Sequence, residues 1–282
     1  MIKSICVCGA GSMGRGIAQA AAQAGFPTIL FDVDAAALDK ARDAISAGLQ
    51  LLVGKNKITA EKKDEAFRQL SFTANIQHCV ADLIIEAIVE KQEVKTKLFQ
   101  QLAAINTAET IFATNTSSLS VTAMASDIEA PARFIGMHFF NPVHAMKLVE
   151  VVTTAKTSPA VKEEIFSLAK SLGKTPVACK DSPGFIVNRV ARPFYIEALR
   201  LAEMAAAGYT TIDTLLEAAG FKMGPFRLMD LIGNDVNYTV SCSVYEQLGK
   251  PERLKPSFIQ QEKVEKKELG KKTGKGYYEY AL

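Results

Sequence analysis

An imidazole is the side chain best suited to take a hydroxyl proton near neutral pH, and the 282 residues hold three: His78, His138 and His144. His78 lies in a polar linker and His144 in the loop "NPVHAM". His138 lies in the run "GMHFF" that leads into that loop. If the runs on either side of the loop fold back about residue 144, residue 138 comes opposite residue 150, because the two numbers sum to twice 144. Residue 150 is a glutamate inside the otherwise apolar "KLVEVV". A carboxylate among valines needs a partner, and a facing histidine supplies one. Such a pair fixes the imidazole tautomer and raises its basicity. It suits removal of a proton from a carbinol whose carbon gives up a hydride. The plainer alternative is a satisfied core histidine and a glutamate on a strand surface.

A hydride needs an acceptor, and "VCGAGSMGRGIAQ" supplies a place for one. Gly9, Gly11 and Gly14 form a G-x-G-x-x-G between an apolar run and an alanine-rich helical stretch, with an acidic residue near the end of the next apolar run. Gly9 permits a tight turn, Gly11 lets a pyrophosphate approach the backbone, and Gly14 lets the helix pack against the sheet. Ser12 and Met13 complete the turn, where free N–H groups and the helix dipole face the phosphates. Asp32, 18 residues after Gly14, can accept from both adenosine ribose hydroxyls. It would repel a 2′-phosphate, and no arginine follows it, so NAD is expected rather than NADP.

Ser117, in "NTSS" after an apolar run, can hydrogen-bond a substrate oxygen or merely cap a turn. Asn188, in "GFIVNR", can do the same or be a helix-surface amide. Positioning these groups takes two kinds of architecture. Residues 1–183 alternate apolar runs with helical stretches: "SICVCGA", "PTILFDVD", "ADLIIEAIVE", "TIFATNTSS", "RFIGMHFF" and "KLVEVVTT" read as strands. Residues 35 to 70 read as two helices broken near "VGKNKIT". From 184 to 282 the spacing is helical, with Thr210, Thr211 and Asp213 as starters for the segment "TTIDTLLEAAGF". The expected fold class is α/β: an N-terminal Rossmann-like, doubly wound, mostly parallel sheet, followed by a second, all-α C-terminal domain.

A 48% hydrophobic chain with net charge +3 is an ordinary globular protein whose charge gives no reason to expect nucleic acid. No apolar run reaches the length of a membrane helix, and no export signal is visible at the amino end. The five cysteines lack metal-ligand spacing, so no metal is expected and a reducing cytoplasm is the expected location.

The segments "GAGSMGRGIAQ", "IIEAIVE", "FATNTSSLS", "RFIGMHFFNPV", "MKLVEVV", "KDSPGFIVNR", "MGPFRLMDLIG" and "GKKTGKGYYEY" resemble those of the 3-hydroxyacyl-CoA dehydrogenases, particularly the short bacterial 3-hydroxybutyryl-CoA dehydrogenases, in the family's order. The resemblance implies that His138 is the general acid/base and Glu150 its orienting partner. It implies that Ser117 and Asn188 hold the 3-oxygen and the thioester carbonyl. Glu90, Lys95, Asn115 and Asn141 match family positions along the nicotinamide half of NAD, and Lys272 one that approaches it from the carboxyl-terminal end. The substrate it implies is a short-chain (S)-3-hydroxyacyl-CoA, which gives Lys55 and Lys57 in "VGKNK" a task against coenzyme A phosphates, although some relatives place a serine in the preceding helix where Gly48 or its neighbours stand. The family's helical domain usually makes a homodimer. Two alternatives remain at this point: a dehydrogenase of a free hydroxy acid or sugar acid, and a non-catalytic NAD-binding protein of the same fold.

Overall fold

A run of four residues makes a stable strand when both of its faces are covered, and such strands read as unbroken apolar sequence. Three central strands are of this kind: β1 (Ile5–Cys8), β4 (Leu83–Glu86) and β5 (Ile111–Thr114), buried along their whole length. The computed structural model describes residues 1–281, so that Leu282, the last residue of the expected second domain, lies outside them. The chain parts into two compact units between Asp181 and Ser182.

The first unit is one eight-stranded sheet in the order β3-β2-β1-β4-β5-β6-β7-β8. The other strands are β2 (Thr28–Phe31), β3 (Leu70–Thr73), β6 (Phe134–Phe139), β7 (Leu148–Thr153) and β8 (Thr175–Lys180). All neighbours run parallel except β6 and β7. The strand order reverses between β1 and β4, the switch point at which doubly wound sheets bind ligands beyond their carboxyl ends. Helices α1 (Ser12–Gln23), α2 (Ala35–Gly54), α3 (Ala60–Arg68), α4 (Gln92–Ala103), α5 (Val121–Ser126) and α6 (Pro159–Ser171) make the connections. Ile17, Ala18 and Ala21 of α1, with Leu38, Ile45 and Leu49 of α2, pack with Ile5, Val7 and Leu30 of the sheet into one core. Helices α2, α3, α5 and α6 start where a side chain takes an orphan N–H: Asp34 accepts from Ala36 at 2.9 Å and Ser120 from Ala123 at 3.1 Å. The turn before α1 differs, because Gly11 stands at its cap without a side chain.

Two strands, β3 and β8, were not expected from the sequence. Both are edges of the sheet, and their side chains are mostly exposed or half-buried. An edge strand needs no continuous apolar pattern, and β8 carries Pro176 and Lys180, as edges tolerate.

The second unit contains α7 (Val187–Glu203), α8 (Tyr209–Ala218), α9 (Pro225–Ile232), α10 (Asn234–Gln247) and α11 (Phe258–Glu265). The expected starters of α8 do something else. Gly208 caps that helix, which places Thr210 and Thr211 inside its first turn. Asp213 is fully buried and accepts the Phe226 and Arg227 N–H groups, each at 2.9 Å, and the Tyr278 hydroxyl at 2.8 Å. It thus caps α9, whose own entry, Gly224–Pro225, offers no side-chain acceptor. Asp230 at the other end of α9 takes the Tyr277 and Tyr278 N–H groups and the Tyr280 hydroxyl, each at 3.0 Å, and so ties down the carboxyl-terminal segment. Among the described residues no helix is long and apolar enough to cross a membrane.

Candidate functional site

The turn after β1 has room where a dinucleotide would need it and none elsewhere. Gly9 has φ +107°, and a Cβ there would lie 2.6 Å from the Ala87 carbonyl oxygen. A Cβ on Gly14 would lie 1.7 Å from the Gly9 carbonyl oxygen, so the helix approaches the turn as closely as backbone permits. Gly11, between them, faces nothing within 4 Å of its missing Cβ. An open cradle thus sits between two crowded glycines at the amino end of α1, where N–H groups lack helical partners and Ser12 and Met13 form the first turn. Asp32 follows β2; its Oδ2 accepts the Ala10 N–H at 2.7 Å and its Oδ1 the Asp34 N–H at 3.0 Å. That fixes a carboxylate beside the glycine turn, which fits an adenosine ribose.

β6 and β7 are joined by the loop 140–147 and pair antiparallel with His138 opposite Glu150, the register required by folding about residue 144. His138 Nδ1 and Glu150 Oε2 are 2.7 Å apart, and both side chains are buried. With the carboxylate accepting, Nδ1 carries the proton and Nε2 is the basic nitrogen. The His138 ring packs 4.5 Å from that of Phe140. Burial first, and then the charges of Glu150 and Asp181, push the Cys179 thiol up to about 12, so this neighbour stays a neutral thiol.

A second polar cluster occupies the carboxyl ends of β4 and β5. Lys95, on α4, is buried and binds Glu86 Oε1 at 2.6 Å and Glu90 Oε2 at 2.9 Å. Glu86 also accepts the Thr114 hydroxyl at 2.7 Å and the Ile88 N–H at 2.7 Å. Burial raises the Glu86 carboxyl, and the Lys95 ammonium and these donors offset only part of it. For Glu90 burial also pushes upward, but the Lys95 charge, the Thr116 hydroxyl and the Ser117 N–H outweigh it, and its carboxyl is held below the usual range. Glu90 Oε1 gathers the "NTSS" turn: Thr116 Oγ1 donates at 2.5 Å, Ser117 N at 2.9 Å, and Ser118 N and Oγ at 3.2 Å. Ser117 Oγ is 3.4 Å from the same oxygen. Asn115 Oδ1 accepts the Phe139 N–H at 2.8 Å, which joins the ends of β5 and β6.

The first unit therefore gathers the glycine turn, Glu90, Lys95, Asn115, Ser117 and the His138–Glu150 pair along the carboxyl ends of neighbouring strands. Asn141 lies in the exposed loop after β6. Lys55 and Lys57 are exposed in the turn between α2 and α3. His144 is exposed, and His78 Nδ1 lies 3.1 Å from the Thr73 hydroxyl. Asn188 and Lys272 belong to the second unit. Asn188 begins α7, and its carbonyl accepts from Arg192 Nε at 3.0 Å. The Lys272 ammonium is held by both carboxylate oxygens of Asp235, at 2.6 and 2.7 Å. Glu86 and Thr116 escaped the sequence reading. The signal for Glu86 was a glutamate closing the apolar run "LIIE", where a charge must find a buried partner.

Residues 4–182 match the family described as 3-hydroxyacyl-CoA dehydrogenase, NAD binding domain, and residues 184–280 that described as its C-terminal domain. The chain is 47% identical over 281 residues to the 3-hydroxyadipyl-CoA dehydrogenase of Escherichia coli K12, covering 99% of this chain and 59% of that relative. It is 41% identical over 289 residues to the mitochondrial hydroxyacyl-coenzyme A dehydrogenase of mouse, covering 99% and 92%. Among solved structures it is similar to (S)-3-hydroxybutyryl-CoA dehydrogenase from Ralstonia eutropha, with a TM-score of 0.95, 35% identity and full coverage of both chains.

Proposed function

Because the chain belongs to the 3-hydroxyacyl-CoA dehydrogenase family, we propose that it interconverts short-chain (S)-3-hydroxyacyl-CoA, of which 3-hydroxybutyryl-CoA is the simplest case, and 3-oxoacyl-CoA. The observation that carries this reading is the His138–Glu150 pair, 2.7 Å apart on strands of the same sheet whose first turn has the dinucleotide cradle. NAD held in that cradle would supply the hydride acceptor for C3, and its reduced form the hydride donor for the reverse direction.

The remaining work falls to the chain's own side chains. His138 Nε2 takes the 3-hydroxyl proton as the C3–H bond breaks, and returns it to the 3-oxygen during reduction. Glu150 holds the Nδ1 proton and stabilises the imidazolium that forms. Ser117, fixed by Glu90, donates to the developing alkoxide, and Asn188 holds the thioester carbonyl; a donor of this kind is worth on the order of 3 kcal/mol in the transition state. Gly9, Gly11, Ser12, Met13, Gly14 and Asp32 hold the adenosine half of NAD. Glu90, Asn115, Asn141 and Lys272 serve the nicotinamide half, and Lys95 serves it by fixing Glu90. Lys55 and Lys57 meet coenzyme A phosphates. Exposed Leu215, Phe221, Leu231 and Val236 of the second unit are the surface on which a homodimer would form. The chemistry needs no compartment beyond a reducing cytoplasm.

Acetoacetyl-CoA should be reduced with consumption of NADH, read from its absorbance. Turnover of free 3-hydroxy acids without turnover of any coenzyme A thioester would move the assignment to a different substrate class. The cofactor half of the proposal has its own measurement. With Asp32 anchored beside the glycine turn, kcat/KM for NADH should exceed that for NADPH by roughly a hundredfold, since a 2′-phosphate would face a fixed carboxylate. A preference for NADPH would contradict the role given to Asp32.

A further inference from the structure

A lysine ammonium without a counter-ion sits on backbone carbonyls at the entrance to β8. Lys174 follows α6, and three hydrogen bonds fix its backbone there. The Leu172 N–H donates to the Leu168 carbonyl, the Gly173 N–H to that of Lys170 and the Lys174 N–H to that of Ala169, each at 2.9 Å. Gly173, with φ +70°, makes the left-handed turn that ends a helix in this way. From that fixed point the half-buried side chain reaches the loop 140–147, where Nζ donates to the Val143 carbonyl and, at 3.0 Å, to the Met146 carbonyl. Among the described residues no carboxylate pairs with it, and burial lowers its pKa. Covering an ammonium without a counter-ion is unfavourable, so the two carbonyl oxygens take the place of the water it gives up.

Two other features hold the same loop. Val143 is the one buried residue between 140 and 147. It lies on Gly16 of α1, where an added Cβ would come within 2.9 Å of the valine Cβ. The Pro142 carbonyl accepts the Ala145 and Met146 N–H groups, each at 3.0 Å, and closes the loop on itself. The Val143 and Met146 carbonyls, which flank His144 and Ala145, are then joined by the ammonium. Beside it the Lys147 carbonyl accepts the Thr175 N–H at 2.8 Å. The loop also carries Asn141, exposed and two residues before Val143. An exposed side chain holds a ligand well only where the backbone beneath it is set in advance.

We propose that Lys174 is a positioning residue for the cofactor: by gripping the Val143 and Met146 carbonyls it sets the loop so that Asn141 meets the nicotinamide half of NAD. The proposal rests on the dehydrogenase reading above, in which Asn141 has that role. Lys174 touches neither cofactor nor substrate and acts through the loop alone. Labour is thereby divided within one hairpin. The pairing of His138 with Glu150 is made by the strands and does not depend on the ammonium, whereas the placing of Asn141 depends on the loop. Loss of the lysine head group therefore changes how tightly the dinucleotide is held and leaves proton transfer in place.

The test is a double-mutant cycle on NADH binding, read by fluorescence titration. Lys174→Met keeps much of the side-chain length and removes the donors. It should raise the Kd for NADH by roughly tenfold, the order expected for a lost hydrogen bond to a charged group. Asn141→Ala should weaken binding by a similar factor, and adding Lys174→Met to it should then change the Kd by less than about twofold. KM for NADH should rise in Lys174→Met with little change in kcat. An unchanged Kd in Lys174→Met overturns the proposal. So does an equal penalty with and without Asn141, which is what a merely structural lysine would give. The wild-type apoprotein supplies a measurement that needs no variant. Its Ala145 and Met146 amides should exchange with solvent at least about tenfold more slowly than in an unstructured chain, and unprotected amides there would also end the proposal. Failure of the underlying reading looks different. If Asn141→Ala leaves NADH binding unchanged, the role of Asn141 falls and this proposal with it. If the wild-type protein does not bind NADH at all, the dehydrogenase reading itself falls.

Discussion

His138→Gln should lower kcat for acetoacetyl-CoA reduction by about 10²- to 10⁴-fold, the usual range for loss of a general acid/base, while NADH still binds in a fluorescence titration. The expected split follows from position. His138 lies in β6 and touches Glu150, whereas the cradle for the dinucleotide is built by the β1 turn and Asp32. Glutamine is the suitable replacement because its amide can still donate to Glu150. That matters because the carboxylate is almost wholly buried, and stranding it would destabilise the chain for reasons unrelated to chemistry. A protonated imidazole supplies the proton in reduction; a carboxamide has none to give at any usable pH. Near-normal turnover in the variant would place the acid/base elsewhere.

The histidine and its partner were legible because a hairpin imposes arithmetic. Once two apolar runs flank a short loop, the sum of paired residue numbers is constant, and a glutamate among valines marks the position that must be answered. The glycine turn was legible for a similar reason: each glycine has a separate steric cause, and the Cβ clash at Gly14 shows how little freedom remains. The edge strands were not legible. "LSFT" is short and lies on an outer edge, and "TPVACK" alternates poorly because much of it faces solvent. Asp213 was misread for a more general reason. Acidic residues early in a helix suggest a cap for that helix, but this one is turned inward and caps the next. Local pattern reports which groups want partners, and only the fold says which partner is near. Glu86 makes the same point, since its cation lies nine residues away on α4.

That buried cation supports the second large expectation, that Lys95→Met destabilises the chain by about 3–5 kcal/mol near pH 8, the usual cost of removing one partner of a buried ion pair. Lys95 serves two carboxylates at once, at 2.6 and 2.9 Å, so its loss leaves negative charge with only neutral donors. The two carboxylates respond differently to pH. Glu86 already has a raised carboxyl because burial dominates, and losing Lys95 raises it further. A carboxyl raised on folding favours the folded state while protonated and loses that advantage as pH rises through its folded value. The deficit of the variant against wild type should therefore shrink between pH 8 and pH 5, as Glu86 takes up a proton. Glu90 has a lowered carboxyl in the intact protein; its contribution is present above the ordinary carboxylate range and fades only as pH falls below it, outside that window. Urea unfolding at several pH values would read the difference, and adding Glu86→Gln to the variant should restore much of the stability at pH 8, as coupled neighbours do in a double-mutant cycle. A deficit that does not change with pH, or one under about 1 kcal/mol, would mean that the ammonium is not what keeps a charged Glu86 in the sheet.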